Sequence, residues 1–170
     1  LLLRVDGYPN GRGSIVSAMT NGDAGEAIAD LLADYGHLID ADKLEEWLNF
    51  FVEDSVYKIV PRENVVRGLP LSLMLCENKN MIRDRITSLR KANIYNIHVD
   101  RHVIGRPRIV GEADGIYSVE ANYAVFQTDQ DGMTRIFSVG QYTDKVFFLD
   151  DGPKFKEKVV VVDTAAVQTL

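Results

Sequence analysis

Cysteine, histidine and tryptophan are scarce in this sequence, whose 170 residues include one Cys, three His and one Trp. The single cysteine, Cys76, excludes an internal disulfide framework. It also excludes any zinc or iron–sulfur site that needs four thiolates from this chain. Because stable extracellular domains of modest size often rely on disulfides, we expect a reducing, cytoplasmic location.

Positive charge and long apolar runs are also lacking. The chain has 19 Lys and Arg against 25 Asp and Glu, a net charge of −6, and no clustered basic face, so we expect no nucleic-acid partner. No apolar run approaches the roughly 20 residues that span a bilayer, and we expect no membrane contact. Glycine-rich phosphate loops and nucleophile elbows are missing as well. The sequence does not read as an obvious enzyme.

The length and the 46% apolar content fit one domain with a substantial core. Residues 1–23 are rich in Gly and Asn and show little periodicity, which predicts a flexible N-terminal arm. We expect residues 24–170 to form the single folded domain.

Two helices and a strand are predicted in succession after the arm. Asp42 and Glu45 have the spacing of a capping box, which predicts a second helix from near Lys43 to residues 53–54. β-Branched and aromatic residues at 55–60 then predict a strand that Pro61 ends. The first helix is predicted from an apolar stripe with helical spacing, made of Ala27, Ile28, Leu31, Leu32, Tyr35, Leu38 and Ile39.

The next segment is predicted as a long loop over residues 62–80 with at most one strand, followed by a third helix. Asn78 or Asn80 is the predicted cap of that helix, which ends before Asn93. Its predicted apolar side consists of Met81, Ile82, Arg85, Ile86 and Leu89.

The period changes to two from Asp100 onward, which predicts a meander of antiparallel strands. Asp131-Gly132 and Asp151-Gly152 are residue types that tolerate the positive φ of hairpin turns. Helices followed by long, coiled strands predict an α+β fold in which a strongly curved antiparallel sheet wraps the helices. The four predicted strands cover residues 101–112, 116–128, 133–149 and 154–163.

The histidines allow two interpretations. A Rieske cluster needs two Cys and two His, so one cysteine cannot supply it. His98, His102 and a carboxylate such as Asp100 could in number form a two-His-one-carboxylate iron site. We favour the simpler interpretation, in which His102 pairs with a neighbouring carboxylate.

A second set of residues offers acid–base chemistry. Asp34 and Tyr35 on the first helix, Tyr57 on the first strand and His102 on a later strand could face one cavity, with His102 as base and the tyrosines as donors. Such a set would serve a stand-alone dehydratase or isomerase. The alternative is that these residues belong to the core or the surface, and a small ligand-binding module also stays open.

A series of charged residues lies close together in sequence, on the predicted third helix and just after it. A solvated helix face is the default for such residues, because exposed ion pairs contribute only ~0.2–1 kcal/mol. A subunit interface is the alternative, since Arg is favoured there. The series consists of Asp84, Arg85, Arg90, Lys91 and Arg101.

Four stretches carry a family resemblance that spans about residues 27–165. They are 44–57 (LEEWLNFFVEDSVY), 84–90 (DRITSLR), 101–104 (RHVI) and 139–145 (VGQYTDK). In their order and spacing they resemble the beta (small) subunit of aromatic-ring-hydroxylating dioxygenases. The resemblance implies a cystatin-like fold, shared with nuclear transport factor 2 and scytalone dehydratase.

The resemblance also implies a structural role in aromatic compound catabolism, with no catalytic residue, cofactor or metal on this chain. The alpha (large) subunit would hold the Rieske 2Fe-2S cluster and the mononuclear iron. Three beta subunits would associate as a trimer beneath three alpha subunits, and the complex would use oxygen and electrons from NAD(P)H. Residues 92–95 (ANIY) resemble members that act on aromatic carboxylates.

Overall fold

The computed structural model describes residues 21–92 and 98–163. The predicted arm therefore lies largely outside the described residues, as does most of the 92–95 segment. The elements in chain order are α1 (Asn21–Asp40), α2 (Leu44–Trp47), a 3-10 turn (Leu48–Phe50), β1 (Phe51–Pro61), α3 (Arg62–Arg67), β2 (Met74–Cys76), α4 (Lys79–Ala92), β3 (His98–Ile104), β4 (Arg108–Ala113), β5 (Ile116–Asp129), β6 (Thr134–Leu149) and β7 (Gly152–Val162).

The strands form one sheet of seven strands in the order β2-β1-β7-β6-β5-β3, with β4 also paired to β5. Neighbours are antiparallel except β1 and β7, which run parallel. The prediction of an α+β fold with helices against a curled sheet is confirmed. The sheet is mixed rather than antiparallel throughout, because β1 and β7 are joined by most of the chain and no hairpin dictates their direction.

The core lies between α1 and the inner face of the sheet. The predicted stripe of α1 is buried at four positions, Ile28, Leu31, Leu32 and Tyr35, whereas Leu38 and Ile39 are half-buried. Strand residues of alternate parity meet this stripe, as period-two patterning requires. The inner-face residues that form the core with it include Phe51, Tyr57, Val119, Ala121, Tyr123, Val125, Tyr142, Val146, Phe155, Val160 and Val162.

The predicted capping box is wrong. Asp42 has a positive φ of 56°, and the residue that precedes α2 is Lys43, which makes no side-chain cap. The carboxylates of Asp42 and Glu45 instead bind the guanidinium of Arg90 on α4, at 2.6 Å and 2.9 Å. The helical segment also ends at Phe50 rather than at 53–54, because the strand already begins at Phe51.

The predicted strand 101–112 is two strands, β3 and β4, separated at residues 105–107. Gly105 and Pro107 interrupt the pattern there, and both strands pair with β5. The segment 62–80 contains α3 besides the one allowed strand, β2. The hairpin turns are confirmed, since Gly132 and Gly152 have φ of 79° and 112°.

Helix α4 begins with a side-chain cap, as predicted for Asn78, whose Oδ1 accepts a hydrogen bond from the backbone N–H of Met81 at 3.0 Å. Its apolar side is narrower than predicted. Ile82 and Ile86 are buried, whereas Met81, Arg85 and Leu89 are exposed. A one-turn spacing of two buried residues is enough to hold a helix that touches the sheet along a narrow contact.

Candidate functional site

A row of buried side chains crosses the inner face of the sheet. Tyr57 on β1 is the register partner of Lys158 on β7, and Lys158 is the partner of Asp144 on β6. Asp144 in turn faces Val119 on β5. All four are buried, so two charged residues lie in the middle of the core.

The ammonium group of Lys158 lies in a cage of aromatic rings. Its Nζ donates to Oδ2 of Asp144 at 2.8 Å and lies 3.4 Å from the ring centroid of Tyr142. The rings of Tyr35 and Phe155 are 4.5 Å and 5.0 Å away. Cation–π attraction and the ion pair together compensate part of the hydration that Lys158 lost on burial.

Burial sets the electrostatics of this pair. Loss of hydration raises the pKa of the Asp144 carboxyl and lowers the pKa of the Lys158 ammonium, while their mutual attraction opposes both shifts. Oδ1 of Asp144 is buried and has no hydrogen-bond partner among the described residues. Burying the two charges therefore costs hydration free energy, which the ion pair and the aromatic rings offset only in part.

Two tyrosine hydroxyls meet beside the cage. The oxygens of Tyr35 and Tyr57 are 3.2 Å apart. Burial raises the pKa of Tyr57 to about 12 and that of Tyr35 well above its usual value, so both hydroxyls are protonated at neutral pH. Trp47 packs against both rings at centroid distances of 5.7 Å and 5.6 Å. The hydroxyls bond to each other inside an aromatic cluster.

His102 is paired to a carboxylate, as the simpler interpretation predicted. Its ring Nδ1 lies 2.5 Å from Oδ1 of Asp40, and its backbone N–H donates to Oδ2 of the same residue at 2.8 Å. Asp40 ends α1, so this contact fastens the helix to β3. Gly36 permits the close approach, because a Cβ there would lie 3.1 Å from the Cβ of His102.

The structure brings together three of the four residues predicted for acid–base chemistry. The ring of His102 meets the edge of Tyr35 at 6.5 Å between centroids, and Tyr35 contacts Tyr57. Asp34 is exposed and is not part of this group. Sequence reasoning missed Asp40, Asp144 and Lys158. The inward parity of Asp144 within an alternating strand is the signal that could have found it.

The structure does not support an iron site made from His98, Asp100 and His102. Nε2 of His98 is 3.5 Å from Oδ2 of Asp100, but the ring of His102 is bonded to Asp40. Across residues 21–92 and 98–163 no group of three or more His, Cys, Asp or Glu residues is placed to hold a metal ion. The donor set of the chain, with one Cys, also does not fit a Rieske cluster.

The stretch 139–145 owes its composition to the core. A Cβ on Gly140 would lie 2.0 Å from the carbonyl oxygen of Val161. Tyr142 stacks on Tyr123, with ring centroids 4.4 Å apart and planes 4° from parallel. Asp144 holds Lys158, and outward-facing Lys145 donates to the hydroxyl of Ser118 at 2.7 Å.

An open groove of about 530 Å³ runs along α1 beside residues 105–107. Glu26 and Asp30 of α1 line one wall and Arg106 lines the other. None of the predicted acid–base residues reaches it. Within the described part of the chain, no helix is long and apolar enough to cross a membrane.

Comparison with known proteins shows which family this chain belongs to. The family model of the ring-hydroxylating beta subunit matches residues 36–169. This chain belongs to that family. The small subunit of anthranilate 1,2-dioxygenase from Burkholderia cepacia is 46% identical over 135 residues, which cover 79% of this chain and 83% of that protein.

Other relatives agree with membership of the beta-subunit family. A beta subunit of the terephthalate 1,2-dioxygenase terminal oxygenase component from Comamonas sp. is 32% identical, over 84% of this chain and 93% of its own length. The solved beta subunit of a candidate aromatic-ring-hydroxylating dioxygenase from Novosphingobium aromaticivorans has a TM-score of 0.80 and 43% identity, over 86% of this chain and 94% of that one.

The fold extends beyond the dioxygenase beta subunits. A candidate scytalone dehydratase from Novosphingobium aromaticivorans has a TM-score of 0.65 at 17% identity, over 85% of this chain and 87% of its own. That likeness confirms the predicted cystatin-like architecture. The family match favours the dioxygenase subunit over the stand-alone dehydratase or isomerase.

Proposed function

We propose that this beta subunit performs no chemistry of its own and acts as the structural subunit of an NAD(P)H-dependent oxygenase. The main support is that the charged and titratable side chains inside the sheet are paired with one another and lie away from the groove along α1. Lys158 binds Asp144, and His102 binds Asp40. A catalytic acid or base must reach its substrate, and Lys158, Asp144 and His102 do not line that groove.

The cofactors belong on the large alpha subunit in this proposal. A Rieske 2Fe-2S cluster needs two Cys, and the chain has one. For the mononuclear iron, residues 21–92 and 98–163 place no group of three or more His, Cys, Asp or Glu side chains to hold a metal ion. The iron centres would supply oxygen activation, and the beta subunit would hold the alpha subunits in position. Three beta subunits would form a trimer beneath three alpha subunits in the cytoplasm.

Aromatic carboxylates are the proposed substrate class of the complex. The two relatives above 30% identity described here are named for anthranilate and terephthalate, and both compounds are benzene carboxylates. The reaction would be cis-dihydroxylation or hydroxylation of the ring. Because the substrate pocket would lie on the alpha subunit, the beta subunit would affect substrate choice through assembly alone.

The test is to purify the tagged chain from its own cells under gentle conditions and to measure native mass, subunit ratio and iron content. We expect a red-brown complex of roughly 200 kDa in which a larger, iron-containing subunit is present in equal amount. A colourless chain without that subunit would refute the proposal. Turnover of an aromatic substrate by the isolated chain would refute it as well.

A further inference from the structure

The groove beside α1 exists because this helix and the end of β3 diverge. Gly25 and Gly36 are about three helical turns apart, so both lie on the same face of α1. A Cβ on Gly36 would lie 3.1 Å from side-chain atoms of His102 and Ile104. Nothing lies within 4 Å of a Cβ on Gly25. The helix therefore contacts β3 at one end and leaves it at the other, and the open space of about 530 Å³ is called the α1 groove below.

Apolar side chains line much of the α1 groove. Ala29 and Ala33 each project only a methyl group from α1, and buried Leu32 also lines the groove. Ile104 and Pro107, both half-buried, belong to the opposite wall. The small side chains of the helix leave room for the apolar body of a bound molecule. The volume lies within the range of small-molecule sites, roughly 300–1,000 Å³.

The two walls carry charges of opposite sign. Glu26 and Asp30 are one turn apart on α1, and Arg106 is on the opposite wall. All three side chains are exposed. Within residues 21–92 and 98–163 none of the three forms an ion pair, either across the groove or elsewhere. The groove therefore offers two carboxylates and one guanidinium to a ligand.

The charges around the groove keep this pattern. Asp23 and Asp34 extend the acidic side of α1 by one turn at each end, and neither lines the groove. Arg108, the next basic residue after Arg106, is the register partner of Glu120 on β5. Among the described residues that line the groove, Arg106 is the only cation. The helix wall therefore attracts a positive group, and Arg106 attracts a negative one.

We propose that the α1 groove binds an apolar α-amino acid in its zwitterionic form. The ammonium group lies against Glu26 and Asp30, the carboxylate pairs with Arg106, and the side chain lies over Ala29. An apolar amino acid carries both charges and an apolar body in one small molecule. A ligand with a single charge leaves the opposite wall unpaired and is bound less tightly. The site adds ligand binding to the structural role proposed above and does not depend on that role.

The test is an NMR titration of the isotope-labelled full chain, in which the amide signals of Gly25 and Gly105 report on the two walls. The probes are L-phenylalanine, phenethylamine, which lacks the carboxylate, and hydrocinnamate, which lacks the amino group. We expect L-phenylalanine to shift both glycine signals saturably and each single-charge probe to bind roughly fivefold more weakly. The signal of Gly132, in the β5–β6 turn, should not move.

Variants at exposed positions separate the two charge contacts. Arg106→Gln should weaken the binding of L-phenylalanine to the level of phenethylamine without weakening phenethylamine itself. Glu26→Gln with Asp30→Asn should weaken L-phenylalanine to the level of hydrocinnamate. Arg108→Gln is the matched control, because Arg108 does not line the groove, and it should bind L-phenylalanine as the wild type does.

A substitution that fills the groove tests the location of the site. Ala29→Leu should abolish the saturable shifts of all three probes, with the Gly132 signal in its wild-type position as evidence of folding. A folded Ala29→Leu variant that binds like the wild type would overturn the inference. The variants at exposed positions test the charge contacts whether or not Ala29→Leu folds.

Two further outcomes would overturn the inference. The first is the absence of a saturable shift at any soluble concentration of L-phenylalanine. The second is phenethylamine binding as tightly as L-phenylalanine, which would indicate non-specific attraction of cations to an acidic helix. Neither outcome bears on copurification with an iron-containing subunit, so the proposed function is tested separately.

Discussion

The two faces of the sheet differ in whether their atypical residues, polar ones inside and apolar ones outside, have partners within the chain. On the inner face, charged and polar groups such as Lys158 and His102 are bonded to partners within the chain. On the outer face, apolar residues such as Val103 and Ile136 are exposed to solvent at 57% and 63%. The ion pairs inside are formed within the chain, whereas the outside presents apolar surface of the kind that a partner covers. This difference is the basis for proposing that the subunit acts through its surface.

The largest loss of stability is expected from a substitution at Gly140, where β6 and β7 leave no room for a side chain. Gly140→Ala would place a methyl group 2.0 Å from the carbonyl oxygen of Val161, so β6 and β7 must separate. We expect a loss of at least about 3 kcal/mol, at the upper end for overpacking. The free energy of unfolding from urea titration measures it. Gly25→Ala is the matched control, since nothing lies within 4 Å of its added Cβ. A loss below about 1 kcal/mol for Gly140→Ala would contradict the account.

The second prediction tests the buried ion pair. Lys158→Met leaves Asp144 buried without its counter-charge, which should cost about 3–5 kcal/mol. Adding Asp144→Leu should recover most of that loss, because an apolar pair needs no hydration. Urea titrations of the wild type, both single variants and the double variant form the cycle that measures the coupling. Additive losses would show that the two side chains do not act as a pair.

The pH dependence of Lys158→Met follows from the raised pKa of Asp144. Without the lysine the folded-state pKa rises further, so the folded protein binds more protons than the unfolded chain between the two pKa values. Stability therefore falls as pH rises through that range. The deficit of the variant should be small near pH 4 and should grow as pH rises toward neutral. A deficit that grows toward acid would have the wrong sign.

The smallest effect is expected from the exposed ion pairs that Asp42 and Glu45 form with Arg90, in place of the predicted capping box. Hydrogen bonding to Arg90 lowers the pKa of Glu45 to about 2, yet the pair is open to solvent and screened by salt. Glu45→Gln should lower the melting temperature slightly at low ionic strength and not at about 1 M NaCl. Any stabilisation should be present above the ordinary pKa of Glu and fade as pH falls below it. A large fall in melting temperature that does not depend on salt would show that this exposed pair stabilises the fold as the buried pair of Lys158 and Asp144 does, which would contradict the account.

The sequence predicted what local patterning controls. Period-two alternation located β5, β6 and β7 within a few residues, and the cap of α4 is Asn78, one of the two asparagines predicted for it. The pairing of His102 with a carboxylate was also predicted. The strands and the cap depend on side-chain parity or on bonds across a few residues. The carboxylate that pairs with His102 is Asp40, 62 residues away, and sequence reasoning did not identify it.

The remaining features depend on contacts between distant parts of the chain. Asp42 has the spacing of a cap, but Arg90, 48 residues away, binds its carboxylate instead. The parallel pairing of β1 with β7 joins opposite ends of the domain. Lys158 reads as an outward residue of an amphipathic strand until Asp144 and three aromatic rings are assembled around it. Local propensity does not determine such pairings.

The central claim is that the inner residues hold the fold and perform no chemistry. Its most direct test is turnover per iron of the oxygenase reconstituted with a small subunit carrying His102→Gln and Tyr57→Phe, both of which keep side-chain volume. The account predicts turnover equal to the wild type in every complex that assembles, with a lower melting temperature from the lost contacts of Asp40 and Tyr35. A fully assembled complex with normal iron content and turnover reduced tenfold or more would contradict it.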